Sequence, residues 1–148
     1  MRGLRAFLGV LVMAAAAVLT ACDTQTREEA IPLPERTISA ATFDTVAWAD
    51  ETAQLGRGKD VFAWVCAKCH GSYGRGDGGE VIEGDTIHPP SFLEPQWRFA
   101  GDERGLQHKI FQGNNRGMPH WGEQGLEPRD IVAVAAYIQK ELRAEVTQ

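Results

Sequence analysis

Basic residues are scarce in this chain of 148 residues, which has 15 lysines and arginines against 20 aspartates and glutamates and a formal net charge of −5. This acidic balance is a poor match for a phosphate backbone, so nucleic-acid binding is not expected. Cysteine is also rare, with three residues, and a structural zinc site usually takes two Cys-x-x-Cys pairs where this chain has one. The alternating pattern of β-strands is missing as well, so an all-α chain is predicted.

The long apolar stretch of the chain lies at its start and has the features of a secretory signal. Arg2 and Arg5 precede an apolar run over residues 6–19 that contains no acid. The run is short for a membrane-spanning helix, although an N-terminal anchor that stays attached is the alternative. The sequence LTAC at 19–22 resembles a bacterial lipobox, which implies cleavage before Cys22 and lipidation of its sulfur. An ordinary cleavage site beside an unrelated cysteine is the other interpretation.

These features divide the chain into three parts. We predict a lipoprotein-type signal peptide at 1–21, a lipid-anchored tether at 22–51 and a folded domain at 52–148. The tether is polar and contains prolines, as an extended linker does. Phe43 and Trp48 near its end are apolar side chains able to fold back onto the domain.

Lipidation of Cys22 would fix the location of the protein. Several acyl chains hold a protein to a membrane surface far better than one does. Asp23 follows directly, and an aspartate there resembles the inner-membrane retention signal of enteric lipoproteins. We therefore expect a protein of the cell envelope, anchored by lipid at the periplasmic face of the inner membrane. Its acidic net charge suits partner proteins with basic docking surfaces.

Three segments show the spacing of amphipathic helices. Apolar residues recur every three to four positions over 52–66, 102–112 and 128–144, and Pro128 suits the first turn of the last segment. Gly58 costs roughly 1 kcal/mol inside a helix relative to alanine, which indicates that another backbone approaches closely there. The segments between these helices are rich in glycine and proline and are predicted to be loops.

The sequence CAKCH at 66–70 is the Cys-x-x-Cys-His pattern of c-type haem attachment. In this pattern the two thiols reach the two vinyl groups at one edge of a porphyrin, and the following imidazole can bind the iron. A redox dithiol would not need the histidine, and a zinc site would need more ligands. One covalent haem c is therefore predicted on Cys66 and Cys69, with His70 as an axial ligand of the iron.

Residues 66–78 read CAKCHGSYGRGDG and match the CxxCHGxxGxGDG pattern of a bacterial group of class I cytochromes c, which the chain resembles over about residues 52–146. The resemblance implies the all-α class I cytochrome c fold, in which the N- and C-terminal helices cross and loops enclose the haem. Gly58 and Phe62 match the glycine and the aromatic residue of the first helix in this family, and Tyr137 matches the aromatic residue of the last.

The resemblance also implies that a distal Gly-Met-Pro loop supplies the second axial ligand. The sequence GMP at 117–119 fits this loop, and Met118 is the one methionine outside the predicted signal peptide. His88, His108 and His120 are the alternative ligands. Thioether ligation favours reduced iron and raises the potential relative to ligation by two histidines.

Further residues are candidates for the surroundings of the haem. A ligating imidazole usually donates its second N–H to an oxygen, and the resemblance makes the stretch 89–90, two prolines, the candidate acceptor. Trp97 and Trp121 are candidates for packing on the haem or for bonding a propionate. Arg98 and Arg116 are candidate partners of the propionates, with plain surface solvation as the alternative.

With both axial positions filled by protein, the iron would offer no site to a substrate. We therefore predict a membrane-tethered carrier of single electrons that is not itself an enzyme. An electron-entry subunit of a periplasmic or membrane oxidoreductase complex is an alternative that the sequence does not separate from a free carrier. A catalytic haem protein with an open sixth position and a thiol or zinc protein are the remaining alternatives.

Overall fold

The computed structural model describes residue 39 and residues 41–144, which are mainly helical. The predicted signal peptide, Cys22 and most of the predicted tether lie outside the described residues. None of the helices in the described part is long and apolar enough to cross a membrane. The predicted all-α class is confirmed by the helical elements, which are α1 (Ala41–Asp44), α2 (Glu51–Val61), a first π-helical turn (Phe62–Cys66), α3 (Ala67–His70), α4 (Glu103–Gln112), α5 (Pro128–Tyr137) and a second π-helical turn (Ile138–Leu142).

The three predicted helices are present, and two of them change geometry before they end. The side chain of Asp50 caps α2 by accepting a hydrogen bond at 2.8 Å from the backbone N–H three residues on. After Val61 the chain widens into the first π-helical turn, and after Tyr137 it widens into the second. Hydrophobic spacing does not distinguish such a turn from an α-helix, because its five residues are too few to change the repeat recognisably.

The expectation of a chain without strands is wrong in one place. A two-stranded antiparallel hairpin joins β1 (Val81–Ile82) to β2 (Asp85–Thr86). Its turn residues Glu83 and Gly84 have φ values of 54° and 91°, as the tight turns that join antiparallel strands require. Two residues per strand are too few to produce a recognisable alternation.

Helices α2 and α5 cross at Gly58. A Cβ atom placed on Gly58 would collide with the carbonyl oxygen of Ala133 and would lie 2.7 Å from the Cβ of Tyr137. Arg57 and Asp130 form an ion pair across the same contact, with 2.8 Å between Nε and Oδ1. The close backbone approach predicted from Gly58 is therefore confirmed.

The core lies between α5 and the elements around it, and the segment before α2 also packs on it. Phe43 is 4% exposed, its ring centroid lies 5.4 Å from that of His108, and the guanidinium of Arg129 lies 4.1 Å from the ring centroid of Trp48. The packed structure thus begins ahead of residue 52, the predicted start of the domain. The largest fully buried side chains of the core are Phe62, Ile131 and Val134.

Candidate haem site

The four predicted haem-binding side chains of the described chain line one cavity, which we call the central cavity. Its volume is about 670 Å³, within the range of ligand and cofactor pockets. Met118 lies far beyond the Cys-x-x-Cys-His sequence in the chain, so only the fold brings its side chain close to the two cysteines and the histidine. The four side chains are Cys66, Cys69, His70 and Met118.

The Cys-x-x-Cys-His sequence starts in a π-helical turn and ends in an α-helix. Cys66 is the last residue of the first π-helical turn, and Cys69 and His70 belong to α3. In helical structure, positions i, i+3 and i+4 share one face, so all three side chains reach the cavity. Gly71, with φ 76°, then ends α3.

The glycine-rich loop after α3 folds back onto the motif itself. The N–H of Gly76 donates to the carbonyl of His70 at 2.8 Å, and the N–H of Gly78 donates to the carbonyl of Cys69 at 3.2 Å. A Cβ on Gly78 would collide with the carbonyl oxygen of Lys68, so a side chain there would push the loop away. The loop therefore fixes the backbone that carries the two thiols and the imidazole.

The imidazole of His70 is in a suitable state to bind a metal. Burial lowers the pKa of His70 to about 4, so the ring is neutral at pH 7 and has a lone pair to donate. Its ring stacks on Phe92, with 4.5 Å between centroids. Its Nδ1 is buried and has no hydrogen-bond partner among the described residues. The expected bond to the stretch 89–90 is therefore not formed, although both prolines line the cavity.

The two thiols are in the neutral form. Burial, with a smaller effect of Cys69, raises the pKa of Cys66 to about 12. Burial also raises the pKa of Cys69, with Glu80 adding to the increase. Catalytic and redox-active cysteines need a lowered pKa because the thiolate is the reactive form. These raised pKa values argue against a thiol oxidoreductase.

The described histidines differ in their access to the cavity. Of the three alternative axial ligands, His88 lines the central cavity together with Met118. His108 packs its ring edge-on against Phe43 instead. His120 has a side chain that is 55% exposed and lies 4.0 Å from Glu123. Of the three histidines that could replace Met118 as the axial ligand, His88 is therefore the one that lies at the cavity.

Three cations converge on the central cavity. Arg98 and Arg116, the predicted propionate partners, line it together with Lys109, which the sequence analysis missed. Burial lowers the pKa of Lys109, and the charges of Arg98 and Arg116 lower it further. Glu94 is the one acid among the described residues that line the cavity. A cavity with an excess of positive charge in an acidic protein fits a dianionic ligand.

Aromatic side chains complete the wall of the cavity. Trp97 and Trp121 line it, as expected from the sequence, and Trp97 is 8% exposed. Phe92, which the sequence analysis did not single out, is 5% exposed and separates His70 from Trp97, with 4.9 Å between the Phe92 and Trp97 centroids.

The central cavity fits haem c in each property that the chain itself determines. It combines apolar walls, two thiols, a neutral imidazole with an unpartnered buried nitrogen, a thioether and a surplus of cations for two propionates. Within the described residues, no cluster of three His, Cys, Asp or Glu side chains could hold a metal ion by itself. The donors therefore suit a porphyrin iron better than a structural zinc ion.

Comparison with known proteins gives a family match over the segment that contains this site. Residues 53–138 match the family model described as "Cytochrome C oxidase, cbb3-type, subunit III". The matched segment extends from α2 into the second π-helical turn and so includes both crossing helices and every residue of the candidate site. Haem c is accordingly the cofactor that the family implies.

Individual relatives are similar over the same part of the chain. The cbb3-type cytochrome c oxidase subunit FixP of Azorhizobium caulinodans is 28% identical over 88 residues, which cover 60% of this chain and 27% of FixP. The subunit CcoP of Rhodobacter capsulatus is 32% identical over 87 residues, or 55% of this chain and 27% of CcoP. The chain thus spans little more than a quarter of these relatives.

One solved structure with a similar fold is that of cytochrome CL from Methylophaga aminisulfidivorans, which is 19% identical and superposes with a TM-score of 0.48. The similarity covers 73% of this chain and 70% of the cytochrome CL chain. The family model, in contrast, covers more than half of the present chain. The described helices and the central cavity agree with a c-type cytochrome domain. The chain belongs to the family of cbb3-type cytochrome c oxidase subunit III.

Proposed function

We propose that this protein transfers single electrons through one covalently bound haem c. Cys66 and Cys69 would form the two thioether bonds, and His70 and Met118 would hold the axial positions. When bound, the haem iron supplies the one-electron change between its ferric and ferrous states. The observation that supports this best is the convergence of all four side chains on one cavity of about 670 Å³.

The chain's own residues would serve three purposes. The glycine-rich loop and α3 fix the backbone of the Cys-x-x-Cys-His sequence. Phe92, Trp97 and Trp121 line the cavity and would restrict the access of water to the iron ligands, which is one determinant of potential. Filling both axial positions would leave substrates and small ligands no free coordination site.

The location and partners are part of the proposal. A lipid on Cys22 would hold the domain at the periplasmic face of the inner membrane. Its partners would be one-electron redox proteins with basic docking surfaces, because the chain has a net charge of −5.

An electron-entry subunit of an oxidoreductase complex is the second candidate. The similarity to proteins named as subunits of cbb3-type cytochrome c oxidases favours it. A free carrier and a subunit differ in one simple measurement: a subunit copurifies with a larger membrane oxidoreductase in mild detergent, whereas a free carrier elutes at the mass of a single small protein.

Replacing both thiols is expected to abolish covalent haem. The Cys66→Ser/Cys69→Ser protein should show no haem staining on a denaturing gel, whereas the unmodified protein should stain and give one haem per chain in a pyridine haemochrome assay. A single replacement leaves one thioether and should retain staining. Staining of the double variant would refute the attachment that we propose.

Cys22→Ser is the matched control for this experiment. It removes the third cysteine of the chain, which is not a predicted haem ligand, so haem staining should be unchanged. The same variant reports on the anchor, because it should no longer incorporate a labelled fatty acid, whereas the unmodified protein should. Loss of haem from Cys22→Ser would contradict the proposal that Cys66 and Cys69 bind the haem while Cys22 carries the lipid.

The cation cluster is expected to raise the potential of the bound haem. Lys109→Gln removes a charge that lines the cavity but keeps a donor for the carbonyl of Gly113, which Lys109 Nζ bonds at 2.9 Å. A unit charge about 10 Å away at an effective dielectric constant of about 20 corresponds to about 1.7 kcal/mol, or about 70 mV. Oxidised iron has one more positive charge, so removing the cation should lower the midpoint potential by tens of millivolts. Lys59→Gln, which makes the same charge change at an exposed position of α2 outside the cavity, should leave the potential nearly unchanged.

A further inference from the structure

We infer that Asn114 is a positioning residue that holds Met118 in place as an axial ligand. This inference depends on the proposed function, in which the Met118 thioether binds the haem iron. It concerns a residue to which neither the sequence nor the family match assigns a role. The observation behind it is that the main chain of Met118 is bonded on both sides by one asparagine.

Three hydrogen bonds link Asn114 to the loop that follows it. The backbone N–H of Asn114 donates to the carbonyl of Met118 at 2.9 Å. The side-chain Oδ1 of Asn114 accepts from the N–H of Met118 at 3.1 Å and from the N–H of Arg116 at 2.9 Å. Within the described residues, no other hydrogen bond reaches the backbone of Met118.

Asn114 is itself attached to a firm support. It stands two residues after the end of α4, whose apolar side is buried in the core. The carbonyl of Gly113 accepts from Lys109 Nζ at 2.9 Å, and the N–H of Gly113 donates to the carbonyl of Lys109 at 2.9 Å. The position of α4 is therefore transmitted through Gly113 and Asn114 to Met118.

The far side of the loop is confined by the β-hairpin region. Gly117 has φ 104°, and a Cβ placed there would lie 3.0 Å from Cδ1 of Ile87 and 3.8 Å from Cδ1 of Ile82. The apolar contacts of these isoleucines restrict the loop in one direction, but they cannot orient the peptide groups on either side of Met118. Asn114 supplies that orientation because hydrogen bonds are directional.

Asparagine suits this position for a chemical reason. Its short side chain can accept hydrogen bonds from backbone N–H groups two residues ahead, as in an Asx turn. Aspartate has an oxygen in the same place and should keep both side-chain bonds. Alanine has no acceptor, and glutamine moves its oxygen one methylene farther from the backbone, so both should lose them.

The test measures how firmly Met118 binds the iron in the haem-loaded protein. Imidazole competes for the sixth position of ferric haem, so its apparent Kd reports how easily Met118 is displaced. Two ordinary neutral hydrogen bonds correspond to a factor of about 30. Asn114→Ala is expected to bind imidazole about 30-fold more tightly than the unmodified protein and to weaken the sulfur-to-iron charge-transfer band of the ferric form. Asn114→Asp should retain both that band and the original affinity for imidazole.

Matched variants separate the possible outcomes. Asn115→Ala changes an exposed neighbour and should behave like the unmodified protein. If Asn114→Ala does not accumulate with haem, Asn114→Gln serves in its place, because it keeps an amide and should show the same tighter binding of imidazole. Unchanged imidazole affinity in Asn114→Ala or Asn114→Gln would overturn the inference, as would an Asn114→Asp protein that resembles Asn114→Ala.

The Met118→Ala protein tests whether Met118 is a ligand of the iron, separately from the role of Asn114. If Met118 is not a ligand, Met118→Ala will leave the spectrum and the imidazole affinity unchanged, and the ligand assignment itself fails. If Met118→Ala changes both while the Asn114 variants do not, the ligand assignment stands and the role of Asn114 is refuted. If Met118 is a ligand and Asn114 positions it, adding Asn114→Ala to Met118→Ala should produce no further change in imidazole affinity.

Discussion

A Met118→Ala protein is expected to retain its covalent haem while its midpoint potential falls by on the order of 100 mV or more. The haem remains because the thioether bonds and His70 are untouched. The potential falls because a thioether stabilises ferrous iron more than water or a second nitrogen ligand does. The open sixth position should also let the ferrous variant bind carbon monoxide rapidly.

Redox titration and the visible spectrum with and without carbon monoxide measure this effect. His120→Ala is the matched control, since that side chain is 55% exposed and its loss should change neither spectrum nor potential. His88→Ala tests the one alternative ligand that lines the cavity. An unchanged spectrum and potential in Met118→Ala, with a change in His88→Ala, would transfer the ligand assignment to His88. Rapid carbon monoxide binding by the unmodified protein would instead favour a catalytic haem protein.

Gly58→Ala is expected to lower the free energy of unfolding by up to about 2 kcal/mol, although alanine is the better helix former. Helix propensity alone would increase stability by about 1 kcal/mol. The added methyl group would collide with the carbonyl oxygen of Ala133, however, and overpacking typically costs about 1–3 kcal/mol. A backbone carbonyl in the middle of α5 cannot rotate away, so the steric cost should prevail.

Gly56→Ala provides the matched control in the same helix. A Cβ on Gly56 meets no atom within 4 Å, so this variant should gain up to about 1 kcal/mol. Denaturant titration of the two haem-loaded variants under identical conditions gives the comparison. If both alanines stabilise the protein alike, then α2 and α5 do not touch at Gly58 in solution.

Much of the fold was predictable because it depends on local chemistry. The Cys-x-x-Cys-His spacing at 66–70 is a known pattern of haem attachment, and long amphipathic helices repeat their pattern often enough to be recognised. Gly58 was informative because glycine is costly in a helix unless something requires it. These features can be read from neighbouring residues without knowledge of the tertiary structure.

The remaining features depend on residues that meet only in the folded protein. Lys109 resembles any polar residue of an amphipathic helix until the fold places it beside Arg98 and Arg116. Asn114 resembles an ordinary residue after a helix until the chain returns to it at Met118. The hairpin was missed because its strands have two residues each, and the two π-helical turns because five residues are too few to alter a helical repeat recognisably.

The crossing of α2 and α5 also governs the order in which the domain can fold. It joins positions 58 and 133, and α5 contributes six consecutive buried residues from Ile131 to Ala136. Contacts between such distant positions require a long loop to close, which carries an entropic cost. A chain that emerges from its N-terminal end therefore presents the Cys-x-x-Cys-His sequence before the last helix is available to complete the core.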